Sequence, residues 1–422
     1  MMKKRYGLAL ASTMVLAACN GGSSNETGGN GDVELTFWLF GTTKYEELAE
    51  VYMEENPGVI INIQEGDNTD HHNNLFTALS TGSGAPDLAL VEINEIERYR
   101  SAQDRFTNLY DYGAEELSDS YLDWVWQTAE NREGDFLFGL PTDIGPTAMF
   151  YRTDIFEEAG LPSDPDEVSA SIQTWDDYTE MANTIYEETG RVVTDSPELI
   201  YNALRDQATE HYFNEEEELI VENNADIREA YDRTVELIEN DVVGSLELWT
   251  PEWGGAMDTG DYATLLGPAW MIAVIQGNAP NAAGNWSIAT MPEGAGNWGG
   301  SFVTIPAETD HPEEAYEFTK WLLSPENQLN SFVDAGLFPS APAVYEEDEF
   351  VNHSDEYFNG LNTAAVFGEA AQQVESVYKG SNYMLVQEEI LMALDNVNNN
   401  GADADAEWDA AMTRITDRLQ RG

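Results

Sequence analysis

The chain has one cysteine in 422 residues, Cys19, so no disulfide can form within it and packing alone must hold the fold. Basic residues are scarce as well: 18 Lys and Arg stand against 79 Asp and Glu, a net charge of −61. Such a surface repels nucleic acid and offers no basic stripe to a phosphate backbone. Of the five histidines, His71 and His72 are adjacent and are expected to point different ways; the others stand alone, so no zinc-type spacing exists. There is neither a phosphate-binding glycine loop nor a Gly-x-Ser-x-Gly nucleophile motif. Beyond residue 18 no run has the length and uniform apolarity of a membrane span. One pattern mimics a calcium loop, Asn396-x-Asn398-x-Asn400-Gly401 with Glu407 at the twelfth place, but its first position is Asn where Asp is needed, and a helix stop at Asn-Gly explains it equally. No metal and no cofactor is expected.

The N-terminus reads as an export leader over residues 1–18. Lys3, Lys4 and Arg5 precede an apolar run from Tyr6 to Ala18 that is too short to span a bilayer permanently. Leu16-Ala17-Ala18-Cys19 resembles a lipobox, which gives the lone cysteine a purpose as the site of lipid attachment and predicts anchoring at the outer face of a membrane. Residues 20–32, NGGSSNETGGNGD, hold no apolar side chain and read as a flexible tether with a span of about 20 Å. The acids are scattered through folded-looking segments, which suits high salt, where screening removes self-repulsion, or an alkaline medium.

The body, roughly 390 residues, is too long for a single core and suits two domains. Val33, Leu35 and Phe37 alternate with polar residues as in a strand; Tyr45, Leu48, Val51 and Tyr52 share one helix face, which Asn56-Pro57-Gly58 ends. Val59–Ile63 is a second strand, Leu75–Ser80 lies on a helix, and Leu88–Val91 is a third, buried strand. This alternation predicts a parallel sheet with ligands beyond its carboxyl edge. Thr174 is placed to cap a helix from Trp175 to Glu188, with Asp177 completing a capping box and Gly190 as the stop. Further helices are expected at Asp226–Asn240, Pro312–Leu323, Asn382–Val397 and Ala406–Leu419.

Seven segments, in order, carry a resemblance: LFTALSTGSGAPDLALVE (75–92), FGLPTDIGPTAMFYRTDIFEEAGLP (138–162), TWDDYTEMANTI (174–185), LWTPEWGGAM (248–257), LLGPAWMIAVIQGNAPNAAGNW (265–286), NWGGSFVTIP (297–306) and AYEFTKWLLSPENQ (315–328). Together they resemble the family 1 extracellular solute-binding proteins, the group that includes the maltose- and lactose-binding proteins. The resemblance implies an α/β, periplasmic-binding-protein-like (type II) fold of two lobes joined by a hinge, with the ligand cleft between them. The chain would cross near 142–146, 299–305 and 340–348, giving one lobe from 33–142 plus about 304–342 and another from about 146–300 plus about 345–422. It implies capture of a neutral sugar, an oligosaccharide in class, and delivery to the transmembrane permease of an ABC importer by a monomer with no catalytic residues.

A sugar presents C–H faces that pack on aromatic rings and hydroxyl rims that need donors and acceptors. Among eleven tryptophans, those beside glycines in the quoted motifs are the ring candidates: Trp270 foremost, then Trp298, Trp253, Trp38 and Trp249, with Tyr383 at the cleft rim. Trp124, Trp126, Trp175, Trp321 and Trp408 lie in helical contexts and are expected in the core. For hydroxyls, the resemblance points to Asp143 at the first crossing; Glu92 and Asp67 end strands at the expected ligand edge, and Gly300 and Ser301 add donors. None of these candidates is basic, which disfavours a phosphorylated or carboxylated solute; acids and rings also suit a polyamine, and paired carboxylates with rings also describe a glycosidase cleft.

Overall fold

The computed structural model describes residues 32–374 and 377–421; the leader, Cys19 and the tether through residue 31 lie outside them. Among the described residues the strands are β1 (Val33–Phe40), β2 (Val59–Gly66), β3 (Leu88–Glu92), β4 (Gly139–Arg152), β5 (Thr264–Pro268), β6 (Trp286–Ala289), β7 (Asn297–Thr304) and β8 (Phe338–Pro339). β1 forms as its alternation predicts: Leu35, Phe37 and Leu39 are buried, Thr36 and Trp38 between them are partly buried, and Glu34 before them is exposed. The intervening helices end on their signals. Asp67 caps Asn68–Thr81, and Gly82 closes it in the left-handed conformation. Thr174 and Asp177 form the full capping box of Trp175–Thr189, which stops at Gly190.

The strand order is β2-β1-β3-β7-β4-β5, with β6 and β8 also paired to β4. β1 is parallel to β2 and β3, but β7 and β4 enter antiparallel. The expectation of a purely parallel sheet therefore fails where these two strands return from the other lobe. β4 is shared by both lobes: Gly139–Pro141 pairs with β7, whereas Thr147–Tyr151 pairs with β5 and, over Met149–Arg152, with β6. All fourteen of its residues are buried. Proline is excluded from most central strands for want of an N–H donor, yet β4 contains Pro141 and Pro146. Both adjoin the register shifts where β4 leaves one lobe and enters the next. β8 makes the third hinge contact, on Asp143 and Ile144. Ile144, Phe302 and Phe338, none of them exposed, join the buried side chains of both lobes into one apolar cluster.

The calcium-like spacing dissolves in the fold, because Asn396, Asn398 and Asn400 lie on a helix, Tyr383–Asn400, that ends at Gly401. Asn396 donates its amide to Glu407 at 3.0 Å. His71 and His72, expected to diverge, both turn inward from their helix, with rings 4.9 Å apart and each against Phe40. Burial pushes both down to about 4, so they stay neutral.

The hinge depends on glycine. A Cβ on Gly145 would lie 1.8 Å from the Trp298 carbonyl oxygen, and one on Gly300, whose φ is +97°, would lie 2.7 Å from that of Asp143. No side chain fits between these backbones. Gly145→Ala is therefore expected to cost about 2–4 kcal/mol in urea unfolding. Gly255→Ala, on a helix with nothing within 4 Å of the new methyl, is expected to be neutral or to stabilise by up to about 1 kcal/mol. Equal effects at the two positions would refute the close-crossing account.

Candidate functional site

The ends of several elements meet where β4 and β7 cross. On one side stands a wall of tryptophans. Trp270 follows β5 directly, its ring 5.1 Å from Trp298 in an edge-to-face arrangement and 6.1 Å from Trp249 in a stacked one; its indole N–H points to the Trp298 carbonyl at 3.4 Å. Trp249 is 58 % exposed and holds a φ of +66°. That conformation costs a bulky residue of the order of 1–3 kcal/mol, and an exposed ring kept at such a cost marks a surface built for contact. Trp253 supports the wall from behind, 5.1 Å from Trp249.

On the other side is a cavity of about 340 Å³. Ile93, Ile96, Glu97, Arg100, Trp124, Gln127 and Thr128 line it from the lobe that contains β3, and Asp206, His211, Glu215, Val377, Tyr378 and Lys379 from the other. Asn297, the residue before Trp298, lines it at the hinge, so a single strand joins the cavity to the tryptophan wall. The side chain of Asn297 accepts from the Gly145 N–H at 2.8 Å and donates to the Gly299 carbonyl at 2.9 Å, which fixes it to the crossing.

Both bases that line the cavity stand beside carboxylates. Arg100 holds Glu97 at 2.5 Å. Asp206 accepts from Arg205 Nε and Nη2 at 2.9 and 2.7 Å, and the Lys379 ammonium lies 3.9 Å from the same oxygen. Burial pulls Lys379 down to about 8, with Asp206 opposing, Arg205 adding to the fall and Glu92 opposing it. Burial, then Lys379 and Arg205, keep His211 neutral. Glu92, at the carboxyl end of β3, accepts from the Asn94 amide at 2.9 Å and the Asn68 amide at 3.4 Å. Burial and the neighbouring Glu95 raise it to about 7, against the pull of the two amides and Lys379.

Several residues expected at the ligand have other work. Trp253 is 1 % exposed and donates its indole N–H to Asp195 at 2.5 Å, so it is a buried support. Asp143 is sealed within the hinge, accepting from the Thr142 hydroxyl at 2.6 Å, and burial lifts it to about 7; it does not line the cavity. Tyr383 is not at a rim but buried behind the cavity lining, its hydroxyl 3.2 Å from His211 Nδ1 and its ring 4.8 Å from that of Tyr212. The Asp67 carboxylate serves as a helix cap, accepting from the N–H groups of Thr69 and Asp70. Gly300 serves the backbone crossing, and the Ser301 carbonyl takes the Thr142 hydroxyl at 2.9 Å. Trp38 is partly buried within β1. Trp126, Trp175 and Trp408 are core, as expected, whereas Trp124 lines the cavity. Sequence reasoning also missed Asp206, His211, Asn297 and Lys379. One signal was available: in a chain with so few bases, Arg205 directly after the mostly apolar stretch Leu199–Leu204 and Lys379 between Tyr378 and Gly380 are out of place on any ordinary surface.

A contact across the cavity mouth completes the geometry. Arg132, in the loop before β4, donates to the Tyr378 hydroxyl at 2.8 Å, lies 5.4 Å from that ring and 4.0 Å from Glu217. Glu217 in turn accepts from Tyr378 at 2.5 Å and from the Ser381 backbone and hydroxyl.

Comparison with known proteins places this architecture. The model of the bacterial extracellular solute-binding protein family matches residues 47–357. An arabinooligosaccharide-binding protein of Halalkalibacterium halodurans is 28 % identical over 367 residues, 82 % of this chain and 80 % of the relative; a lactose-binding protein of Rhizobium radiobacter is 24 % identical over 82 % and 84 %. A crystal structure of an extracellular solute-binding protein of family 1 superposes with a TM-score of 0.83 at 31 % identity, covering 91 % of this chain and 99 % of the other. The binding protein of B. animalis subsp. lactis in complex with β-1,6-galactobiose gives 0.78 at 22 % identity, over 92 % and 98 %. The chain therefore belongs to the bacterial extracellular solute-binding protein family.

Proposed function

We propose that the protein captures a neutral saccharide, an oligosaccharide in class, between its two lobes and hands it unaltered to the permease of an ABC importer. The observation that carries this reading is a wall of partly exposed tryptophans joined by one hinge strand to a cavity in which each base stands beside a carboxylate. Rings offer the surface that a sugar's C–H faces pack on. Paired charges of both signs suit a ligand that is polar but uncharged. Lys379 overturns the expectation of a cleft without bases, yet it does not favour an anionic solute, because Asp206 stands beside it. The same lysine disfavours a polyamine. The named relatives are binding proteins for arabinooligosaccharides and lactose, which supports binding without turnover.

In a thermal-shift screen of neutral saccharides, polyamines and sugar phosphates, only the first group is expected to stabilise the protein, and the sugar is expected to be recovered intact. Trp270→Ala should weaken the best sugar at least tenfold with little change in melting temperature. Stabilisation by a charged class alone, or unchanged affinity in the variant, would refute the reading.

The lobes we assign are 33–142 plus about 304–342, and about 146–300 plus about 345–422, with the hinge strands between. A hinge of this kind lets the lobes close on a ligand and offers the importer a shape distinct from the empty one. Arg132, with Tyr378 and Glu217, would then latch the closed form. The Arg132 and Glu217 side chains are 50 % and 35 % exposed, so the contact is worth at most about 1 kcal/mol. Arg132→Ala should accordingly raise the release rate about two- to fivefold in stopped-flow tryptophan fluorescence. A loss above tenfold would mean that Arg132 touches the sugar instead, and no change would mean that it holds nothing.

We further propose that residues 1–18 are removed and that Cys19 carries the lipid that ties a monomer to the outer face of the membrane. Cys19→Ser, expressed in a bacterial host, should move the protein from the membrane fraction to the soluble one; retention in the membrane would contradict this.

A further inference from the structure

Two polar groups at the cavity keep hydrogen-bonding capacity that the described residues do not use up. The Asp206 side chain is only 2 % exposed; its Oδ1 is taken by Arg205, while Oδ2 has no hydrogen-bond partner among the described residues. The hinge presses on it from one side, since a Cβ on Gly296 would lie 2.5 Å from the Asp206 Cβ. Lys379 is 11 % exposed; its ammonium makes one long hydrogen bond, to His211 Nδ1 at 3.5 Å, and stands 3.9 Å from Asp206 Oδ1, which leaves it N–H groups to spare. A buried acceptor without a partner is costly, and an ammonium with one long hydrogen bond can donate again. Neither is placed by chance: Arg205 fixes the carboxylate, and the Tyr383 ring, 4.9 Å below Lys379, supports the ammonium.

We propose that Asp206 and Lys379 together read a pair of adjacent hydroxyls on the captured sugar, Asp206 Oδ2 accepting from one and the Lys379 ammonium donating to the other. This rests on the sugar-binding reading above and adds to it a second recognition point, distinct from the tryptophan wall. The argument is one of elimination by charge. A carboxylate or phosphate would satisfy Lys379 but face the open oxygen of Asp206, and an amine would satisfy Asp206 but face Lys379. A diol satisfies both, because each hydroxyl can donate or accept. Arg205, His211 and Tyr383 act as positioning residues behind this pair. A site that hydrogen-bonds particular hydroxyls strongly rejects an analogue lacking them, because its buried groups are then left unpaired.

The test uses isothermal titration of the full soluble domain with arabinotriose and with lactose, each beside a version O-methylated at single hydroxyls. Asp206→Asn and Lys379→Met are each expected to weaken the sugar that binds at least tenfold, and to lose the wild type's discrimination against one methylated isomer. Circular dichroism and melting curves establish that each variant is folded; if one fails to fold, the other carries the test. Wild-type affinity should also decline above about pH 8, as Lys379 loses its proton, whereas Lys379→Met should show no such decline. The groups facing Lys379 are Asp206, Arg205, His211, Tyr383 and Glu92, with Glu97, Arg100 and Glu215 lining the same cavity, and all are common to both proteins. Folded variants with unchanged affinity and discrimination would overturn the diol assignment while leaving sugar capture at the tryptophans intact. Failure of the wild type to bind any neutral sugar would overturn both.

Discussion

The contact between backbones at Gly145 and Trp298, too close for any side chain to intervene, is the constraint on which the rest of the molecule is arranged. It lets β4 and β7 cross while each remains paired in both lobes, so that the connection is a buried sheet and not a loose linker. It also sets where the chemistry falls. Trp298 belongs to one side of the crossing strand and joins Trp270 and Trp249, while its neighbour Asn297, pinned to Gly145 and Gly299, lines the cavity. The hinge and the site are built from the same few residues, so motion about the one must change the other.

Electrostatics reinforces this arrangement through scarcity. With 18 bases against 79 acids, an exposed basic residue finds acidic neighbours in any direction, and most pairs of that kind contribute little. The bases placed at the cavity and its mouth carry more information. Arg205 is buried against Asp206, Lys379 stands over Tyr383, and Arg132 reaches from one lobe to the other. Each sits at the cavity or its mouth, where low dielectric makes a charge matter and where its partner has to be specified by the fold. A cavity that holds cations yet keeps them matched by carboxylates can be strongly polar without selecting a charged ligand.

The first three strands, their helices and the capping box at Thr174 were legible in the sequence, because alternation, glycine stops and capping residues act over a few positions. The antiparallel entry of β4 and β7 was not, since it follows from contacts between residues more than 150 positions apart, such as Ile144 with Gly300. The site divides in the same way. Trp270, Trp298 and Trp249 were found through glycine-flanked motifs and do stand together. Asp143 was placed at the ligand by the resemblance and Trp253 by its glycine-flanked motif, but whether a side chain at a crossing or on a helix faces open space or the interior depends on tertiary packing, which no local pattern reveals. Asp206 escaped for the opposite reason: one acid among 79 is unremarkable in sequence, and it becomes informative only when the fold leaves its Oδ2 without a partner among the described residues.

The central claim, that a neutral saccharide is held between two lobes that close on it, is tested most directly by small-angle X-ray scattering of the soluble domain with and without saturating arabinotriose or lactose, whichever binds by titration. The account predicts a smaller radius of gyration with the bound sugar and none with a polyamine or a sugar phosphate. Binding without contraction, or contraction driven by a charged solute alone, would contradict it.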